Sequence, residues 1–123
     1  MLLSETYFQI TPHSDGKIEI QNLGFSNKDS ESTKFVFDHT ETRQITIGRD
    51  SKCVMPYPTD KSFSKVQATI SYDTDRRQWK LKDGSADKAS TNGCWIYATH
   101  SYEILDGAIF QFGSSRFRIT VTK

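Results

Sequence analysis

Three short segments of this 123-residue chain hold most of its candidate chemistry: Arg49 in "QITIGRDSKC", Ser64 and Lys65 in "PYPTDKSFSK", and Thr91 and Asn92 in "STNG". A guanidinium, an ammonium, two or three hydroxyls and a carboxamide are all hydrogen-bond donors, and the first two are cationic. Together they suit a site that grips an anion locally. Catalysis fits poorly. His13, His39 and His100 are scattered, Cys53 and Cys94 lie 41 positions apart, and there is no nucleophile motif or glycine-rich phosphate cradle. Neither a disulfide, a zinc site, a cofactor nor an enzyme is expected.

The totals bound the partners. Sixteen Lys plus Arg against fifteen Asp plus Glu leave a net charge of +1, so no bulk field draws the protein onto nucleic acid or an anionic membrane. The opening "MLLSETYFQI" lacks a basic start, and no apolar run approaches the ~20 residues of a membrane span. An intracellular protein, nuclear or cytoplasmic, is expected, as one domain over residues 1–123 or one module of a longer parent chain.

The elements that must position these groups are strands. Val, Ile, Thr, Phe, Tyr and Trp number 42 against ten Ala plus Leu, which favours strand over helix. Alternation runs through Phe35–Phe37, Gln44–Ile47, Val66–Tyr72, Gln78–Lys82, Cys94–Tyr97, Ala108–Phe112 and Phe117–Val121, with turn-forming pieces such as "HSDG", "DTDRR", "KDGS", "STNG", "LDGA" and "FGSS" between runs. Many short strands with polar turns predict an all-β, antiparallel sandwich rather than alternating strand and helix. The polar segment 24–34 reads as an exposed or disordered loop after an early strand pair. Trp79, Trp95, Phe110 and Phe112 are expected in the core. Gly48, at a strand end, predicts a bulge or close backbone approach that aims Arg49 at a loop surface. Intervals of fifteen positions from Arg49 to Ser64 and twenty-eight from Ser64 to Asn92 leave room for odd numbers of strand passes, so all three motifs can share one end.

The ordered series "IGR", "SFSKVQATI", "WKLKDGS", "STNGCWI" and "LDGAIFQFG" resembles the forkhead-associated (FHA) domain from about Gln44 to Val121, roughly two thirds of the chain. The resemblance implies a sandwich of about eleven strands that binds phosphothreonine in partner proteins without catalysis. By it, Arg49 meets the phosphate with paired, charge-assisted hydrogen bonds. Ser64 adds its hydroxyl, Lys65 a less directional charge, and Thr91 and Asn92 match the family's Thr-Asn pair that clamps the peptide backbone. Asn92-Gly93 is also the favoured pair for a tight turn whatever the function. Peptide specificity falls, by resemblance, to the loop around Lys61, Ser62 and Phe63, to the stretch 86–90, and to the tip around Ser114.

One departure bears on the site. The family pattern places a histidine three residues after the serine, where this chain has Gln67; an amide also offers a donor and an acceptor, so the loop scaffold has a route to survive. The rival reading is an FHA-like scaffold or oligomerisation domain that ignores phosphate, with Gln67 as its sequence hint. Cys94, where threonine is more usual, reads as packing.

Overall fold

The computed structural model describes residues 8–23, 34–96, 98, 100–113 and 115–122. They contain nine strands and no helix: β1 (Phe8–Pro12), β2 (Lys17–Asn22), β3 (Lys34–Asp38), β4 (Gln44–Gly48), β5 (Met55–Pro56), β6 (Ala68–Asp73), β7 (Gln78–Asp83), β8 (Ile109–Phe112) and β9 (Ser115–Arg118). The all-β expectation is met. No helix among the described residues is long and apolar enough to cross a membrane. Of segment 24–34, residues 24–33 lie outside the described residues, and Lys34 already opens β3.

By its contacts the chain divides into two compact units, Met1–Gly93 and Cys94–Lys123. The first holds two sheets, ordered β1-β2-β3 and β5-β4-β6-β7. "FVF" therefore extends the early strand pair rather than the main sheet, pairing with β2 from Lys17↔Asp38 to Gln21↔Lys34. Alternation decides the inward faces: Ile18 and Ile20 on β2, Ile45 and Ile47 on β4, and Ile70 on β6 are buried and form one cluster with Met55 and Phe63. Full burial of each such side chain contributes about 1.5–3 kcal/mol. Trp79 packs at the cluster's margin, its indole Nε1–H donating to the Gly16 carbonyl at 3.2 Å.

Register fixes where the loops emerge. Ile47 faces Ala68 and Ala68 faces Asp83 across antiparallel pairs, so the end of β4, the start of β6 and the end of β7 lie at one end of the sheet. The β6–β7 turn lies at the other. One pairing departs from the antiparallel expectation: β5 runs parallel to β4. The chain turns back at Asp50, whose carbonyl accepts the Cys53 N–H at 3.0 Å and whose side chain accepts the Lys52 N–H at 2.9 Å. Thr46 Oγ1 then accepts the Val54 N–H at 3.0 Å. Pro56, which has no N–H to give, sits on this edge strand, where a missing donor costs little.

The second unit contains the hairpin β8–β9, paired from Ile109↔Arg118 to Phe112↔Ser115. Two sequence expectations need correction here. Cys94 to Ile96 form no strand, and β9 runs over 115–118 rather than 117–121. The core assignment of Trp95 and Phe112 also fails, since they are 45% and 64% exposed. A two-stranded hairpin supplies no second layer of its own, so alternation in it creates an apolar face without burying it. Trp95 instead carries the Arg116 guanidinium 5.0 Å from its ring centre.

Candidate functional site

Gly48 explains how the first two motifs meet. A Cβ built there would lie 2.1 Å from the Lys65 carbonyl oxygen and 2.9 Å from the Val66 Cα, so only glycine lets the two backbones come this close. Beyond it, Gln67 N–H donates to the Ile47 carbonyl at 2.7 Å and Arg49 N–H donates to the Ser64 carbonyl at 2.9 Å. Between these two bonds β4 advances two residues while the loop advances three, which makes the loop bulge outward. Arg49 and Lys65 are both exposed, and Ser64 is half-buried. Among the described residues no carboxylate pairs with the Arg49 guanidinium.

The loop from Tyr57 to Gln67 is held from beneath by aromatic packing. Tyr57 N–H donates to the Gly48 carbonyl at 2.7 Å, and Tyr57 meets Phe63 edge-on at 5.5 Å between ring centres. Burial pushes the Tyr57 hydroxyl's pKa up, against the opposing effect of its hydrogen bond with Asn22. Asp60 sets the next turn: its carboxylate accepts from both the N–H and the hydroxyl of Ser62, an arrangement that bends short segments without regular structure. Lys61 and Ser62 are exposed on that turn. Cys53 reaches the same loop, its thiol donating to the Lys65 carbonyl at 3.2 Å. Burial raises that thiol's pKa, which keeps the donor proton in place at neutral pH. Cys53 and Cys94 are not joined in a disulfide.

The third segment arrives from β7. Asp83 holds Ser90 through both carboxylate oxygens, accepting the N–H at 3.1 Å and the hydroxyl proton at 2.5 Å. Ser90 Oγ in turn accepts the Gly93 N–H at 2.9 Å, and Gly93 takes φ +79°, the left-handed region where glycine is at ease. Within this bracket Thr91 N–H donates to Ser64 Oγ at 2.9 Å, and Asn92 Nδ2 donates to the Ser62 carbonyl at 3.0 Å. Arg49, Ser64, Lys65, Thr91, Asn92, Lys61 and Ser62 therefore belong to one cluster of loops at one end of the first unit. Ser114 lies outside the described residues.

Chemically the cluster presents donors. Ser64 Oγ uses a lone pair on Thr91, so its own proton remains to be given to a ligand. Asn92 spends one amide hydrogen on Ser62 and keeps an acceptor oxygen beside the other, the pair that an extended backbone matches.

Sequence reasoning missed Asp60, Asp83 and Ser90 as supports. Asp60 had a readable signal, an aspartate two residues before a serine in a polar loop. Asp83 and Ser90 are seven apart with no periodicity to join them. Gln67, the departure whose amide offered the loop scaffold a donor and an acceptor, bridges the loops: its Oε1 accepts the Ser64 N–H at 3.0 Å and its Nε2 donates to the Gly93 carbonyl at 2.9 Å. Compared with known proteins, the chain matches the model of the FHA domain over residues 45–113, more than half its length and a range that takes in Arg49, Ser64, Lys65, Thr91 and Asn92. No curated protein matches it significantly.

Proposed function

This chain belongs to the FHA domain family, whose members are in general phosphopeptide-binding interaction modules rather than enzymes, and on that premise we propose that it recognises phosphothreonine in a partner protein. The observation that carries the reading is the convergence on Ser64, whose carbonyl accepts from Arg49 and whose hydroxyl accepts from Thr91. In this reading Arg49 and Lys65 supply charge to the phosphate and Ser64 supplies its hydroxyl proton. Thr91 and Asn92 align the peptide backbone. No cofactor, nucleic acid or membrane takes part.

A phosphate of nearly two negative charges needs such donors because its water shell is removed on docking; each charge-assisted hydrogen bond then contributes about 1.5–3 kcal/mol. The architecture that goes with the proposal is the family's antiparallel sandwich of about eleven strands, with residues 1–123 as one domain of an intracellular protein.

The test is a titration of phosphothreonine, phosphoserine and unmodified threonine versions of peptides from a degenerate library. Binding confined to phosphorylated peptides, stronger for phosphothreonine, is expected; a threonine methyl in a small apolar niche adds about 0.8 kcal/mol. Equal binding of phosphorylated and unmodified peptides would establish a phosphate-blind scaffold instead.

A further inference from the structure

We infer that Gln67 is a positioning residue that makes the serine loop and the asparagine loop a single rigid receptor, an inference that rests on the phosphothreonine reading of the same site. Gln67 precedes β6 by one residue and is anchored on both sides of its backbone. Its N–H donates to the Ile47 carbonyl at 2.7 Å and its carbonyl accepts the Gly84 N–H at 2.9 Å. Those bonds fix the root of the side chain, and the terminal amide then reaches Ser64 with its oxygen and Gly93 with its nitrogen. Four different segments are held by one residue.

The bond to Ser64 has a specific consequence. Ser64 N–H is spent on Gln67, its carbonyl on Arg49 N–H, and one hydroxyl lone pair on Thr91 N–H. The hydroxyl proton is the Ser64 donor left over, and the three fixed bonds limit where it points. A side chain of equal length without hydrogen bonds would leave Ser64 N–H to turn toward solvent or ligand and would free Gly93 from the serine loop. Preorganised donors bind better than donors that must be ordered on contact, since the ordering cost is met before the ligand arrives. The amide supplies one acceptor and one donor at once; a carboxylate supplies acceptors alone, and an imidazolium supplies donors alone.

The experiment compares Gln67→Met, Gln67→His and wild type in the full chain, using the best phosphothreonine peptide and hydrogen exchange of the Ser64 and Thr91 amides. Gln67→Met is expected to weaken the peptide about tenfold when measured well below its melting temperature, with faster exchange at both amides. Gln67→His is expected to recover most of the affinity at pH 7.5 and to lose it again below about pH 6.5, where a protonated ring no longer accepts from Ser64 N–H. The other titratable groups on or against these loops, Asp50, Cys53, Tyr57, Asp60, Lys61, Lys65 and Asp83, are common to all three proteins, so the difference from wild type isolates position 67. Wild-type affinity in folded Gln67→Met would overturn the inference and leave Gln67 a packing residue; should that variant not fold, a Gln67→His pH profile parallel to wild type would overturn it equally. If wild type fails to prefer the phosphorylated peptide, the functional reading falls, yet exchange still decides the coupling. Opening of both amides in Gln67→His on acidification supports it, and unchanged exchange refutes it.

Discussion

The two ends of the first unit are built differently. At the loop end, Gly48, Ser64, Gln67, Asp83 and Ser90 bind segments far apart in sequence, and their hydrogen bonds converge within a few residues. At the turn end, Arg77 holds φ +55° in the β6–β7 turn, a conformation that favours glycine. His39 stacks on Tyr72 at 4.3 Å between ring centres, while its buried Nδ1 has no partner among the described residues. An open cleft of about 310 Å³ lies between them, lined by Ser14, Asp15, His39, Tyr72, Thr74 and Arg77. The contrast teaches that the loops of the proposed receptor are cross-linked, while strain is left at the opposite end. Precision is concentrated where donors must hold still before the ligand comes.

That comparison can be broken. Arg49→Ala is expected to cost about 2–5 kcal/mol of phosphopeptide binding, thirtyfold or more, by removing charge-assisted bonds to a desolvated phosphate. Thermal unfolding should hardly move, because the side chain is exposed. Calorimetric titration beside a melting curve checks both halves, and unaltered affinity would remove the loop end's claim to function. Gly48→Ala is expected to lower stability by about 1–3 kcal/mol, since the added carbon meets backbone rather than a movable side chain; denaturant unfolding measures it, and affinity should fall with it.

Smaller effects sharpen the contrast from the other end. Arg77→Gly is expected to raise stability by about 0.5 kcal/mol, relief of left-handed strain exceeding the added chain entropy, while peptide affinity stays at the wild-type value. A loss of affinity in that variant would show that the two ends communicate. Asp73 has its pKa lowered, first by its hydrogen bond to Lys80 and then by backbone N–H groups of the turn, with the Lys80 ammonium at 3.0 Å. Because the folded pKa lies below the unfolded one, the contribution is present above the usual value near 3.8 and is lost as pH falls further. Asp73→Asn should therefore lower stability slightly above pH 4 and flatten the acid limb below it by the same small amount, because solvent around the exposed Lys80 and half-buried Asp73 screens the pair.

Much of this was legible because it is local. The strands in "QITI" and "VQATISY" follow from alternation, and turns follow from Asp, Gly and Ser clusters. Tertiary context overrode the rest: "CWIY" alternates yet its described part forms no strand, and β5 is two residues long with a proline, too short to leave a pattern. The donors of the site were readable as residue types, whereas their supports were not, because Asp83 with Ser90, and Gln67 with Gly93, carry no spacing rule.

By itself, then, the amino-acid order determined the all-β class, the alternating faces that bury Ile45, Ile47 and Ile70, and the presence of loop donors fit for an anion. Only the tertiary structure decided that those donors share one end and that Gln67 fastens their loops. The physical reason is range: side-chain alternation and turn chemistry act over a few residues, while a hydrogen bond between Gln67 and Gly93, twenty-six positions apart, depends on where the intervening residues bring the chain back.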